Sequence, residues 1–293
     1  MAVLTSEAVV LRTWPVQEAD LVVSFFTRDY GRVKGIAKSA LKSRKRFGGA
    51  LEPMTVARAF FAERPRQELV RLDQLEILRS PLAQPVDHAR IAVLSFFAEL
   101  LDEALPEHDP QETVFRLLMA VLEYTTAQTP AQSLDPRPQT PDPISPGPWM
   151  ALTYFQLWMT RLMGLLPDIG RCTACGDPLG VADALRAPGA PRPSEGPGNR
   201  NGEPTQRNGS GIYFHAHSDG LYCPLHRAPG ASLLSPDSWL LAQRMLRAPA
   251  SAFATEPWPR RRAQDLRRFT LQSLERHLER KLRTAEALNR LGG

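Results

Sequence analysis

The first eighty residues contain five short runs rich in aliphatic and aromatic residues, and turn signals separate them. The runs are residues 7–12, 21–27, 32–37, 54–62 and 68–78. Strands of this length, spaced so closely along the chain, favour a small closed barrel over a large open sheet. Gly31 fits a hairpin turn, and Gly35 fits a point at which a strand of a small barrel must coil sharply.

A concentration of positive charge lies within the same region. Residues 28–46 carry eight basic side chains and one acidic one, a net +7 in 19 residues, whereas the whole chain is +5. The other 274 residues therefore sum to about −2, so the charge is local. Such a cluster suits a polyanion, because each neutralised phosphate releases condensed counterions. The alternative is a solvated loop that its lysines keep soluble.

Together these features favour a five-stranded oligonucleotide-binding (OB) barrel in residues 1–80. The open face and loops of an OB barrel accept nucleic acid, and the basic residues would lie there. We therefore expect this part of the chain to contact DNA or RNA.

The hydrophobic period changes after residue 80 and becomes that of amphipathic helices. The predicted helices are residues 88–105, 113–124, 149–163, 236–246 and 260–288. In the first of them the residues expected on the buried face are Ile91, Leu94, Ala98, Leu101 and Leu105. Ser235 followed by Pro236 is a typical helix start. The predicted fold class is thus α+β and multidomain, with an N-terminal barrel and an all-α domain.

Two stretches lack the apolar residues that would offset the loss of chain entropy. Residues 129–148 are rich in proline, with seven prolines between positions 130 and 148, and residues 186–211 are rich in proline, glycine and asparagine. We predict that both are disordered insertions.

Two short motifs have the spacing of a tetrahedral metal site. Cys172-x-x-Cys175 precedes Cys223-x-x-His226 by 47 residues, and the second insertion accounts for this long separation. Gly176 follows the first pair, and Asp219-Gly220 precedes the second, as a knuckle turn requires. We predict Zn²⁺ held by three thiolates and one imidazole, in a structural role because four ligands leave no open position.

Other readings of these motifs stay open. Cys172 and Cys175 alone could form a redox pair, or the knuckle could hold no metal. His215 or His217 could also take the place of His226 as the fourth ligand.

Catalytic motifs and targeting signals are hard to find. The chain has no Walker phosphate loop, nucleophile elbow or H-E-x-x-H helix, which favours a binding protein over an enzyme. Three cysteines, two of them in a C-x-x-C, favour a reducing compartment. Because no secretory signal or membrane-spanning run is present either, we expect a cytoplasmic, nucleoid-associated protein.

The order of parts resembles the bacterial recombination mediator family RecO over nearly the whole chain except the two insertions. The segments that carry the resemblance are residues 7–12, 29–38, 47–53 and 166–172, the pair Cys175-Gly176, and Asp219-Gly220 before Cys223. Many members have a fourth cysteine where this chain has His226, and some have lost the ligands, so zinc need not be essential for activity.

The resemblance implies a function in recombinational repair of gaps and breaks. RecO-like proteins bind single- and double-stranded DNA, anneal complementary strands and, with RecR, help RecA replace single-strand-binding protein (SSB). The DNA contacts that it implies here are Arg32, Lys34, Lys38, Lys42, Arg44, Lys45 and Arg46. We also expect an apolar groove of the helical domain, edged by Arg267, Arg268 or Arg276, to take the acidic C-terminal tail of SSB.

The strand-like runs, the helical periodicity and the Cys/His motifs together predict a domain layout. We expect the barrel in residues 1–80, a helical domain in residues 81–170 and 228–293, and the zinc knuckle in residues 171–227.

Two other functions stay open. One is an RNA-binding protein with an OB fold and a zinc knuckle, and the other is a zinc-stabilised protein scaffold. A nuclease is disfavoured because no carboxylate cluster for Mg²⁺ is evident in the sequence.

Overall fold

A computed structural model describes residues 3–63, 67–81, 87–126, 147–180 and 211–290. The predicted disorder of residues 129–148 and 186–211 falls almost entirely outside these ranges. Gly147, Pro148 and Gly211 are described, and the first two begin a helix.

The N-terminal region is a closed five-stranded barrel, as predicted. Its strands are β1 (Leu4–Pro15), β2 (Leu21–Thr27), β3 (Gly31–Ala37), β4 (Val56–Ala62) and β5 (Val70–Arg79). The strand order around the barrel is β1-β2-β3-β5-β4, and β4 pairs with β1 to close it. All pairs are antiparallel except β3 with β5, which is parallel. This mixed five-stranded barrel confirms the predicted OB architecture.

The barrel interior follows from the alternation of side chains along each strand. Val23 and Phe25 of β2 and Val33 of β3 point inward and are fully buried. Phe25 and Tyr30 both pack edge-on against Phe61 of β4, with ring centroids 5.5 and 5.4 Å apart. At Gly35 a side chain would lie 2.9 Å from Val70, so the close approach of β5 requires glycine.

The basic segment after β3 is more ordered than a plain loop. It forms a 3₁₀ turn (Ala40–Lys42) and a single α-helical turn, α1 (Arg44–Phe47). Phe47 is 1% exposed and joins the barrel core, which anchors the turn to the barrel. The backbone that carries the cations of this segment is therefore held against the barrel.

Six further helices follow within the described residues. They are α2 (His88–Ala104), α3 (Glu112–Thr126), α4 (Gly147–Leu162), α5 (Pro236–Met245), α6 (Gln264–His277) and α7 (Arg283–Arg290). A short antiparallel pair, β6 (Ile212–Phe214) and β7 (Ser232–Leu234), lies between α4 and α5 in the chain. Ser235 caps α5 through Ser238 N–H, with Pro236 in the first turn, as predicted.

Two helix predictions are wrong. The single helix expected over residues 260–288 is two helices, because Glu279 takes a left-handed backbone conformation (φ 53°) and Glu99 of α2 caps a new helix start at Arg283 and Thr284. Ile91 was expected on the buried face of α2 but is 47% exposed. Arg90 is buried there instead, since the buried face is rotated toward Val93 and Phe97.

The chain forms two compact units, of which the first contains the barrel. This unit comprises Met1–Phe155, Phe253–Trp258 and Leu278–Gly293. Within it, Phe155 packs on Phe97 of α2 with centroids 4.3 Å apart, and Phe253 contacts Tyr154 and Trp258. The division into domains that the sequence predicted stays a prediction.

Asp102 near the end of α2 joins the helices of this unit to the barrel. Its carboxylate is 7% exposed and accepts a 2.6 Å hydrogen bond from Ser24 Oγ of β2. Arg32 Nη1 lies 3.7 Å away and Arg12 Nη1 lies 4.0 Å away. Phe26, also on the outer side of β2, packs edge-on against Phe115 of α3. The outer face of the barrel is thus partly covered by α2 and α3.

The second unit comprises Gln156–Ala252 and Pro259–His277 and holds the four metal-ligand candidates. Trp158 Nε1 donates to the Met245 carbonyl, and Trp239 Nε1 donates to the Ile169 carbonyl. Phe214 of β6 packs against Phe269 of α6 with centroids 5.4 Å apart. These contacts tie the small β6–β7 hairpin and the surrounding helices into one core.

Replacing the buried carboxylate should destabilise the first unit. In Asp102→Asn, the nearly buried side chain of Arg32 loses one of its charge partners. We therefore expect the free energy of unfolding to fall by about 1–3 kcal/mol. In the control Glu76→Gln, the exposed partner Arg58 lies 3.9 Å away, and the loss should stay below about 0.5 kcal/mol. Denaturant unfolding of both variants measures the difference, and equal losses would contradict this role for Asp102.

Candidate metal centre and nucleic-acid interface

The backbone of the second unit builds a knuckle around the cysteine motifs. Gly176 N–H donates to the Cys172 carbonyl at 2.8 Å and has a φ of 74°, which glycine adopts without strain. Thr173 N–H donates to the Leu221 carbonyl at 2.9 Å, which brings the two motifs together. At Gly220 a side chain would lie 2.5 Å from Thr173 Oγ1, so only glycine fits. The predicted need for both glycines therefore has a physical basis.

The four predicted ligands meet in one place. One ligand atom from each of Cys172, Cys175, Cys223 and His226 lies within 4.8 Å of the others. His226 Nδ1 is 3.3 Å from Cys223 Sγ and 3.9 Å from Cys172 Sγ. These separations bracket the roughly 3.6 Å that sulfur and nitrogen ligands keep in a tetrahedral zinc site. Cys172 and Cys223 are buried, whereas Cys175 and His226 are exposed.

Hydrogen bonds prepare Cys172 to act as a thiolate. Burial alone would raise its pKa, but the backbone N–H groups of Cys223, Cys175 and Ala174 together lower the pKa to about 6. For Cys175 the backbone N–H of Asp177 lowers the pKa, but partial desolvation by neighbouring atoms, hydrogen bonds with Cys172 and Asp177 and the nearby Cys223 raise the pKa to about 11. Three sulfur ligands crowded beside one imidazole fit a divalent, thiophilic cation, which would relieve the repulsion between thiolates.

The alternative fourth ligands are elsewhere in the unit. The rings of His215 and His217 contact each other in a tilted arrangement with centroids 5.2 Å apart, and His217 N–H donates to His215 Nδ1. Arg276 of α6 holds this loop by donating to the carbonyls of Ala216 and Ser218. Among the described residues, the ligand cluster contains His226 and neither of the other two histidines.

Three of the seven predicted DNA-contact residues are paired with acids of the same unit. Arg32 is bound by Asp102, by Glu107 at 3.2 Å and by the Leu105 carbonyl, which its Nε reaches at 2.8 Å. Lys34 Nζ lies 2.7 Å from Glu107. Lys38 Nζ lies 2.5 Å from Asp20, whose other oxygen accepts from Ser39 N–H. No local pattern in the sequence indicated these acidic partners.

The other four residues lie on the turn after β3. Arg46 Nη2 donates to the Lys38 carbonyl at 2.6 Å, and its guanidinium lies over the Phe47 ring, so it supports the turn. Lys42, Arg44 and Lys45 are exposed, and within the described ranges none of their side chains has a hydrogen bond or ion pair. We call these three residues the free cation cluster. They are the members of the predicted set that are available to a ligand without breaking an existing contact.

Two family models match the chain. The model described as "Recombination protein O N terminal" matches residues 1–81. The model described as "Recombination protein O C terminal" matches residues 85–137 and 142–286. The chain belongs to the RecO family.

Full-length relatives agree with this RecO assignment. The chain is 42% identical over 287 residues to "DNA repair protein RecO" of Koribacter versatilis (strain Ellin345), covering 98% of each chain. It is 31% identical over 287 residues to the protein of the same name from Anaeromyxobacter sp. (strain K), covering 97% of this chain and 95% of the relative. In the described part of this RecO family member, no helix is both long and apolar enough to cross a membrane.

The arginines expected to edge a groove for an SSB tail differ from one another in their surroundings. Arg267 is 8% exposed, its pKa is lowered to about 10 by burial, and it donates to the carbonyls of Arg260 and Arg262. Arg276 contacts Asp219 as well as the loop carbonyls. Arg268 is exposed. Two of the three arginines thus support the unit itself.

Metal content should depend on the four ligands and not on the neighbouring histidines. We expect purified protein to carry about one metal ion per chain, and Cys223→Ser or His226→Gln to lose most of it. The matched control His217→Gln should keep it, because His217 lies outside the cluster. Elemental analysis by mass spectrometry measures the content. Retention in Cys223→Ser, or equal loss in His217→Gln, would contradict the site.

The Lys34–Glu107 pair should make stability depend on pH. The hydrogen bond from Lys34 outweighs burial and holds the pKa of Glu107 below its ordinary value. The pair therefore stabilises the fold fully above the ordinary glutamate pKa of about 4.3, and the contribution is lost as the pH falls through the lower folded value. The unfolding midpoint of Glu107→Gln should be below that of the unmodified protein at pH 7, and the difference should shrink progressively as the pH falls below about 4.3. A difference that does not change with pH would contradict this.

Proposed function

We propose that this RecO family member binds DNA through its barrel and anneals complementary single strands. With RecR it would help RecA replace SSB during recombinational repair of gaps and breaks. The observation that carries the proposal is the free cation cluster, three exposed positive charges on a turn that Phe47 fixes to an OB barrel.

Annealing requires no covalent step, so the proposal needs no catalytic residue. Two like-charged strands must approach while their bases stay free to pair. Cations on a rigid turn reduce the repulsion between the backbones and hold one strand loosely, and base pairing then drives duplex formation. The names of the relatives support a function in DNA repair.

We propose Zn²⁺ as the metal of the knuckle. Three sulfur ligands and one imidazole suit Zn²⁺ better than Mg²⁺ or Ca²⁺, which prefer oxygen ligands. Zn²⁺ in a four-ligand site would hold the turns and strands of residues 170–180 and 211–226 together and supply no reactive position.

Removing the free cation cluster should weaken DNA binding without harming the fold. In the triple variant Lys42→Gln, Arg44→Gln, Lys45→Gln, affinity for single-stranded DNA should fall. The plot of log affinity against log salt concentration should also become shallower by about 2, because three phosphate contacts are lost. Fluorescence anisotropy across a salt series measures both effects.

A charge-matched control separates local from overall charge. The triple variant Arg116→Gln, Arg247→Gln, Arg261→Gln removes the same net charge from exposed positions on separate helices and loops, and it should bind nearly as the unmodified protein does. Equal losses in both variants would show that the cluster is no specific site. If the protein prefers structured RNA to single-stranded DNA in a competition assay, the RNA-binding alternative is favoured. If the cluster variant binds DNA as the unmodified protein does, the protein-scaffold alternative is favoured.

The partner steps need an assay of their own. Annealing of SSB-coated strands, measured across the same salt series with and without RecR, should slow in the cluster variant. If titration with an SSB tail peptide shows no saturable binding, the proposed groove interaction is wrong. The structure leaves Arg268 as the arginine of the expected set most available for it.

A further inference from the structure

An apolar row crosses three strands on the outside of the barrel. Trp14 of β1 stands opposite Val22 of β2, and Val22 stands opposite Ile36 of β3. Their neighbours in the strands, Val23 and Ala37, belong to the barrel core, so the row faces outward. With strands about 4.8 Å apart, the row is about 10 Å long. We call these three residues the outer strip.

The outer strip lies beyond the part of the barrel that the helices cover. The next residues along the same face are Arg12 and Ser24, and these meet Asp102 of α2. All three residues of the strip keep part of their surface exposed. Within the described ranges, the one ring or cation contact of the Trp14 side chain is Arg12, whose guanidinium lies 5.0 Å from the ring centroid.

The strip adjoins the free cation cluster. Ile36 is the second-last residue of β3, and the basic turn begins directly after that strand. Leu41 on the turn is 61% exposed, and its N–H donates to the Ala19 carbonyl in the β1–β2 turn, which follows Trp14. The register thus places an aromatic ring, aliphatic side chains and unpaired cations at the same end of the barrel.

We propose that the outer strip is the base-contacting part of the DNA site, with Trp14 stacking on a base of single-stranded DNA. The inference rests on the proposed function and assigns the phosphates to the free cation cluster. Stacking on an indole tolerates any base, as a strand-annealing protein requires, because every base has a π-face. Arg12 is 47% exposed and lies 4.0 Å from Asp102, so this weak contact leaves it able to move aside for a base.

The test compares two replacements of Trp14 that differ in aromatic character. Trp14→Phe keeps a ring, whereas Trp14→Leu keeps apolar surface without one. We expect Trp14→Leu to lower affinity for an oligo(dT) strand at least about fivefold, which roughly 1 kcal/mol of stacking gives, and Trp14→Phe to lose no more than about twofold. The salt slope should stay unchanged in both. Affinity for blunt duplex should also stay unchanged, because its bases are already stacked.

The outcomes separate the strip from the proposed function. Leu78→Ala, on the exposed surface of β5, is the control for loss of an exposed aliphatic side chain from the barrel and should bind normally. Suppose that Trp14→Leu binds oligo(dT) with the same affinity as Trp14→Phe, while the Lys42, Arg44, Lys45 variant binds weakly. The proposed role of the outer strip is then wrong, and the proposed DNA-binding function stands. If neither the Trp14 variants nor the cation variant changes binding, the proposed function itself fails. Equal losses in both Trp14 variants, with lower melting temperatures, would show a packing role and overturn the proposal.

Discussion

The buried carboxylate of Asp102 determines how the first unit is arranged. It joins α2 to the barrel through Ser24 and lies close to Arg32, whose side chain is 11% exposed. A carboxylate in such a place is stable only when charges and hydrogen bonds surround it, so helix and barrel fix each other. The same contact covers one part of the outer barrel face and leaves the part around Trp14 open.

This arrangement divides the basic residues of one short segment into two sets. Arg32, Lys34 and Lys38 stabilise the fold through Asp102, Glu107 and Asp20. The free cation cluster has no such partners among the described residues and stays available to phosphate. A net charge counted along the sequence therefore overstates the charge that a ligand meets.

Local patterns in the sequence predicted much of the fold. Runs of aliphatic and aromatic residues separated by turn signals located all five barrel strands, and the Ser235-Pro236 pair marked the start of α5, because these signals depend on neighbours in the chain. The Cys-x-x-Cys and Cys-x-x-His spacings likewise identified the ligand cluster.

Contacts between distant residues explain what the sequence did not reveal. Ser24 and Asp102 are 78 positions apart, so no local pattern could show that this acid reaches the barrel and pairs with Arg32. The break before α7 depends on Glu99, which lies 185 positions from Thr284. Ile91 was placed on the wrong face because apolar periodicity does not show which neighbours a helix will have.

The cap that Glu99 provides for α7 affects when the first unit can finish folding in the cell. At about 5–20 residues per second, a ribosome needs roughly 10–40 s to add the 185 residues that separate the two partners. The barrel strands, which are close together in the chain, can pair long before that. During this interval the surface of α2 that α7 later covers remains exposed to solvent.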